Sequence, residues 1–173
     1  MGFSDPTNKP WTQRKIVELN PTTVLDVGAG QGVYLDLIRE SLGNSVIVAA
    51  VEVWQPYIDQ FNLEQRYDYL YPVDVRDLTS FNFDLVILGD ILEHMPEKDA
   101  IELWNKISKE AKYAIISIPI IHYHQEALNG NPYEVHVEED WSTSRVLEKF
   151  HSIIEHVEFP VTGVFVAKFN HDS

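Results

Sequence analysis

Residues able to do chemistry recur in this chain at one kind of place, the carboxyl side of a short apolar run. In Val24-Leu25-Asp26-Val27-Gly28-Ala29-Gly30-Gln31-Gly32 an acidic residue and alternating glycines close the first such run. Glycine serves where the backbone takes positive φ or lies directly against a ligand. A helix start just beyond offers free N–H groups and partial positive charge to a carboxylate or phosphate. The second run, Ser45 to Val51, ends in Glu52-Val53-Trp54, about 20 residues on, where an acid can take both hydroxyls of a ribose. The third ends in Asp74-Val75, and the fourth in Gly89-Asp90-Ile91-Leu92-Glu93-His94. Histidine titrates near pH 7 and suits proton removal from a hydroxyl or amine. His94 is the first candidate for that role and His136 the second.

These residues need elements to hold them. Residues 1–10 carry two prolines and no periodicity, which predicts an arm or flap, and Trp11 to Leu19 reads as a short helix stopped by Asn20-Pro21. The apolar patterns then predict strands at Val24–Val27, Ser45–Val51, Tyr69–Val73, Phe83–Leu88 and Tyr113–Ile118. Helices are expected at Gln31–Leu42, Gln55–Glu64, Glu97–Lys109 and Ser142–Phe150, with loops at 74–78 and 89–96. Ile153–Glu158 and Gly163–Phe169 read as an antiparallel pair around a proline-containing turn. Alternation of strands and helices gives an α/β, doubly wound, mostly parallel sheet with helices on both faces. Ligands of such sheets bind beyond the carboxyl ends of the strands, where the polar residues above fall.

Size and composition narrow the functions. A chain of 173 residues, 45% hydrophobic and 12% aromatic, is expected to form one domain with a real core. No apolar run approaches the ~20 residues of a membrane span. No basic-then-apolar leader is seen, and Pro6 stands where a myristoylation motif wants Ser or Thr, so a cytoplasmic location is expected. Zero cysteines exclude a disulfide framework, a thiolate nucleophile and a cysteine zinc site. A net charge of −14 disfavours nucleic-acid partners, whose affinity rests on neutralised phosphates.

Glycine spacing separates the candidate ligands. The dinucleotide fingerprint wants G-x-G-x-x-G, whereas here the glycines are 28, 30 and 32 and Val33 takes the last position. Asp26-x-Gly28-x-Gly30-x-Gly32 resembles motif I of the class I S-adenosylmethionine-dependent methyltransferases. Phe83-Asp84-Leu85-Val86-Ile87-Leu88-Gly89-Asp90-Ile91-Leu92-Glu93-His94 resembles motif IV, and its Leu92-Glu93-His94 close is similar to that of the small-molecule, type 11/23-like branch. The resemblance runs from about Val24 onward. It implies the Rossmann-like methyltransferase fold, a seven-stranded sheet whose last strand enters antiparallel through a C-terminal hairpin. It also implies that S-adenosylmethionine is the cofactor. By that resemblance Gly28, Gly30 and Gly32, with Ala29, pass under its methionine part, while Asp26 holds the loop or the ligand's ammonium. Glu52 holds the ribose, Val53 or Trp54 lies on the adenine, Asp74 accepts the adenine amino group and Val75 flanks it. Asp90 and Ile91 complete the set.

The expected partner is a small-molecule or carbohydrate-like methyl acceptor, bound by the N-terminal arm and by residues 119–141. That segment mixes Tyr123, His124, Tyr133, Glu134, His136, Asp140 and Trp141. Trp54 reads equally as core. His122-Tyr123-His124 beside Glu134, Glu138 and Glu139 invites a metal reading but matches no known ligand spacing, so no metal is expected. Asn131-Pro132-Tyr133 lies after the fifth strand and lacks the second proline of the nucleic-acid amino-methylation motif. Three alternatives stay open: a SAM-binding module without catalysis, a protein methyltransferase, and a nicotinamide-dependent reductase.

Overall fold

The computed structural model describes residues 5–171. Its seven strands are β1 (Thr23–Val27), β2 (Ile47–Val51), β3 (Tyr69–Tyr71), β4 (Leu85–Gly89), β5 (Tyr113–Pro119), β6 (Ile153–Glu158) and β7 (Thr162–Lys168). They form one sheet in the order β3-β2-β1-β4-β5-β7-β6. Every strand runs parallel to the next except β7, which lies antiparallel between β5 and β6. The order reverses between β1 and β4, the place where a doubly wound sheet opens a crevice.

Alternate side chains of the strands go to opposite faces, and both faces are covered. Leu25, Val27, Val86, Leu88, Ala114 and Ile116 pack under α5 (Glu97–Glu110) and α6 (Thr143–Lys149), with Trp104 and Phe150 at the centre. Val24, Val48, Leu85, Ile87 and Ile115 pack under α1 (Lys9–Leu19) and α2 (Val33–Leu42). The continuous apolar runs follow from that double burial.

Several boundaries differ from the sequence reading, each for a local reason. The helix expected over Gln55–Glu64 divides into α3 (Gln55–Gln60) and α4 (Leu63–Arg66), because Asn62 takes the left-handed region at φ 52. Gly32, at φ 79, delays α2 to Val33. The second strand begins at Ile47 and the third ends at Tyr71. Loop 89–96 holds a 3₁₀ turn at Leu92–His94, and loop 74–78 holds another at Val75–Asp77. Of the expected arm, residues 1–4 lie outside the described residues. The remainder is folded, a 3₁₀ turn at Pro6–Asn8 leading straight into α1. Buried Asn8 donates through Nδ2 to Ser117 Oγ at 3.1 Å and Thr162 Oγ1 at 2.9 Å, tying this segment to β5 and β7.

Candidate active site

The carboxyl ends of β1, β2 and β4 border a cleft with about 680 Å³ of space open to solvent. Gly28, Glu52, Val53, Asp74, Val75, Asp90, Ile91 and His94 all line it, and Asn131, Tyr133 and Glu134 close it from the segment after β5. Separate stretches of sequence are thus brought to one surface.

The glycine loop is held from behind. The N–H groups of Gly28 and Ala29 donate to Val51 O at 2.8 and 3.2 Å. Glu52, 6% exposed, accepts from Gly30 N–H at 3.1 Å on one oxygen and from Trp54 N–H at 3.0 Å on the other. Each carboxylate oxygen keeps a further lone pair. Burial pushes the Glu52 carboxyl above its usual range, and the two N–H donors oppose that. Gly28 stands at φ 71, and a Cβ there would collide with Ile91 Cδ1. Gly30 and Gly32 also take positive φ, but they, Ala29 and Asp26 lie behind the cleft surface.

Asp26 is 1% exposed under this loop. One of its oxygens accepts from Tyr67 OH at 2.6 Å, while Oδ1 finds no partner among the described residues. Burial raises its pKa to about 6, with the charge of Glu52 adding to the effect and the Tyr67 bond opposing it. Asp74 accepts from Arg76 N–H and Nε on Oδ1 and from Nη2 on Oδ2, at 2.7 to 3.0 Å. The arginine bonds hold its carboxyl below the usual range, and Oδ2 retains a lone pair. Trp54 stands edge-on to Tyr57, ring centroids 4.6 Å apart, and is not part of the cleft lining. Val53 and Val75 supply the apolar walls instead.

A second cleft of about 700 Å³ adjoins the first and shares Asp90, His94 and Glu134 with it. It adds Asp5, Glu93, Pro119, Tyr123, Gln125, His136 and Thr162. His94 and His136, 42 positions apart in sequence, meet here with ring centroids 4.9 Å apart. His94 Nδ1 donates to Val135 O at 3.1 Å and His136 Nδ1 donates to Tyr123 O at 2.8 Å. A carbonyl can only accept, so each neutral ring carries its proton on Nδ1 and leaves Nε2 as an acceptor. Burial lowers the pKa of both histidines, favouring that neutral form.

The surface histidines behave differently. His122 pairs with Asp140 and His124 with Glu139, and neither lines either cleft. Trp141, expected on an acceptor surface, is 2% exposed, stacks on Phe150 and carries the Arg145 guanidinium on its face. An aromatic next to charged residues reads the same from sequence whether it faces a ligand or a core.

Sequence reasoning assigned no role to Glu93, Arg76, Asn131 or Lys9. Glu93 was visible as the acid before His94, but nothing local marked it as buried. Lys9 Nζ is buried and bonds Tyr34 OH at 3.0 Å; desolvation lowers its pKa against the pull of Asp90, Asp5 and Asp26. A lysine between prolines carries no signal of that.

No protein-family model matches the chain, and no curated protein matches it by sequence. Solved structures do match it in shape. The N-terminal domain of EvdMO1, crystallised with S-adenosylhomocysteine and D-fucose, superposes at a TM-score of 0.68 with 16% identity, over 96% of this chain and 85% of that one. The 1,6-didemethyltoxoflavin-N1-methyltransferase of Burkholderia thailandensis, with 1,6-didemethyltoxoflavin and S-adenosylhomocysteine bound, gives 0.66 and 17% over 96% and 80%. The PH0226 protein of Pyrococcus horikoshii gives 0.71 and 13% over 95% and 88%. The chain has the methyltransferase fold. The inserted antiparallel β7 is the feature that separates this fold from a plain dinucleotide-binding sheet, and the two clefts flank the strand-order switch of the methyltransferase sheet. No helix among the described residues is long and apolar enough to cross a membrane.

Proposed function

We propose that this protein is an S-adenosylmethionine-dependent methyltransferase acting on an oxygen or nitrogen of a small-molecule or carbohydrate-like acceptor. The observation that carries the reading is the pair of adjoining clefts, one lined by Gly28, Glu52 and Asp74 and the other by Glu93 and His136, meeting at Asp90, His94 and Glu134.

The first cleft fits the cofactor on its own chemistry. The Gly28 backbone presents a surface that no Cβ interrupts. Glu52 is anchored by two N–H donors, with lone pairs left for ribose hydroxyls. Val53 and Val75 offer apolar walls to an adenine, Asp74 Oδ2 a lone pair for its amino group, and the free Asp26 Oδ1 a partner for a buried donor. Bound there, S-adenosylmethionine supplies a sulfonium methyl, which an acceptor lone pair takes as the C–S electron pair returns to sulfur and the acceptor's proton leaves to water. The protein's share is alignment, exclusion of water and management of that proton. His94 and His136 stand at the acceptor end of the path for the last task. Co-crystals of similar folds with D-fucose and with 1,6-didemethyltoxoflavin support a small acceptor.

The test is calorimetric titration of S-adenosylmethionine, S-adenosylhomocysteine and NADH into wild type and Glu52→Ala, followed by transfer of labelled methyl to a panel of hydroxyl and amine acceptors. Micromolar binding of the adenosyl ligands, weakened at least about tenfold in the variant through loss of charge-assisted hydrogen bonds, is expected. Preference for NADH, or no adenosyl binding, refutes the reading. Adenosyl binding without transfer to any acceptor leaves a binding module.

A further inference from the structure

The Glu93 carboxyl and the rings of His94 and His136 converge in the second cleft. Glu93 is 1% exposed, and among the described residues neither of its oxygens has a hydrogen-bond partner. His94 Nε2 lies 3.9 Å from Glu93 Oε1, beyond hydrogen-bond reach. His136 spends Nδ1 on Tyr123 O, which leaves Nε2 as the acceptor nitrogen of its ring. One ligand atom from each of Glu93, His94 and His136 falls within 4.8 Å of the others. Buried acceptors without donors are costly, and a cation is what satisfies several of them together.

We infer that Glu93, His94 and His136 form a binding site for a divalent transition-metal cation at the floor of the second cleft. Each histidine has the arrangement metal ligands adopt, the far ring N–H donated to a backbone carbonyl so that tautomer and orientation are fixed. Two imidazoles and one carboxylate select Zn²⁺, Mn²⁺ or Co²⁺ over Mg²⁺ and Ca²⁺, which prefer oxygen sets. A tetrahedral shell places its ligand atoms about 3.4 Å apart, so small side-chain rotations bring the three into range. Three protein ligands leave a position open toward the cleft, as catalytic rather than structural metal sites do. The fold explains the convergence. The 3₁₀ turn after β4 turns Glu93 inward beside His94, and the backbone N–H groups of Val137 and Glu138 donate to Glu93 O at 2.9 and 3.1 Å, drawing the His136 segment over it.

The site deepens the methyltransferase reading and rests on it only for its use. A hydroxyl of the acceptor takes the open position, loses its proton to water more readily beside the cation, and is oriented toward the first cleft. The histidines then act as ligands instead of exchanging the proton themselves. Binding of the cation does not require that reading.

The experiment is metal binding by the full chain, read three ways: equilibrium dialysis with Zn²⁺ and Mn²⁺, the visible spectrum on Co²⁺ addition, and the cation-induced shift in melting temperature. Wild type is expected to bind one ion per chain, with Mg²⁺ failing to compete. Glu93→Gln is expected to lose more than about a hundredfold in affinity, beyond the ten- to hundredfold cost of losing an outer hydrogen-bond partner. The amide has nearly the shape of the carboxyl it replaces, so Glu93→Gln is expected to fold, with a metal-free melting temperature close to wild type. A His122→Ala/His124→Ala double variant controls for surface binding and is expected to keep the ion. Loss of the ion in the double variant but not in Glu93→Gln overturns the proposal, as does absence of stoichiometric binding in wild type. S-adenosylhomocysteine affinity is measured in parallel, because Glu93 does not line the first cleft. Adenosyl binding without metal binding refutes the site and leaves the methyltransferase reading intact; metal binding without adenosyl binding does the reverse.

Discussion

Asp26 offers the sharpest physical test of how the glycine loop is supported. Its carboxyl is 1% exposed, and its pKa is raised by burial from an ordinary 3.8 to about 6. The folded state therefore holds this proton more tightly than the unfolded chain between those two values. Where the folded state binds more protons, stability falls as pH rises. The contribution is thus greatest below pH 3.8 and gone above pH 6, and the gap of about two pH units corresponds to on the order of 3 kcal/mol. Between pH 7.5 and pH 5 about 1.4 kcal/mol of that returns to the folded state, since one unit below the folded pKa is worth about that much. Glu52 and Glu93 are also pushed up by burial and slope the same way, so the comparison must be differential. Asp26→Asn keeps an oxygen for Tyr67 OH but does not titrate. Urea unfolding of wild type and variant at pH 5 and pH 7.5 isolates the residue. The difference between them is expected to shift toward the variant by roughly 1 to 1.5 kcal/mol at the higher pH. An unchanged difference at the two pH values would refute the buried, protonation-sensitive support of the loop.

Asp84 should show the opposite slope. Burial would raise its carboxyl, but the Thr22 backbone and hydroxyl donors and Lys112 override that and lower it to about 2. Its stabilisation is present above pH 3.8 and fades as pH falls through 2; Asp84→Asn is expected to cost about 1 to 2 kcal/mol at pH 6, with the gap to wild type narrowing by pH 3 in urea titrations. Gly28→Ala places a side chain at φ 71 against Ile91, so a stability loss of about 1 to 2 kcal/mol from the backbone alone is expected, together with weaker S-adenosylhomocysteine binding by calorimetry. Unaltered affinity in a folded Gly28→Ala protein would remove the loop from the ligand surface.

The parts of this molecule legible in sequence are those set by local periodicity. Apolar runs bounded by turn residues gave away all seven strands, most cleanly β1, β4 and β5, which are buried on both faces and have no polar side to blur the pattern, whereas the edge strands β3 and β6 are largely exposed. The polar residue closing each parallel run marked the cleft, so Glu52, Asp74 and Asp90 were found as a set. What escaped was anything decided by long-range packing. Asn62 can continue a helix or stop one, and tertiary contacts chose the stop. Trp54 and Trp141 differ little in sequence context, yet one packs on Tyr57 beside the cleft and the other fills the core under α6. The pairing of His94 with His136 depends on how the segment after β5 folds back, which no spacing rule encodes.

The loop after β4 explains why the two clefts are not independent. Gly89 has no Cβ, and one there would collide with the Tyr34 ring, so β4 ends pressed against α2. Asp90 then takes φ 54, a left-handed conformation that costs an L-residue about 1 to 2 kcal/mol, while its N–H donates to Ser117 O at 2.8 Å. That reversal sends Ile91 back against Gly28 in the first cleft and Glu93 and His94 forward into the second. A backbone held off its own minimum persists only when its surroundings over-determine it, and here packing on Tyr34 and the bond to β5 both do so. The strain positions a carboxylate at the boundary between the clefts. Asp90 lines both clefts, so its side chain faces whatever occupies either. On the methyltransferase reading the cofactor and the acceptor meet at this joint, which is built from five consecutive residues, Asp90 to His94.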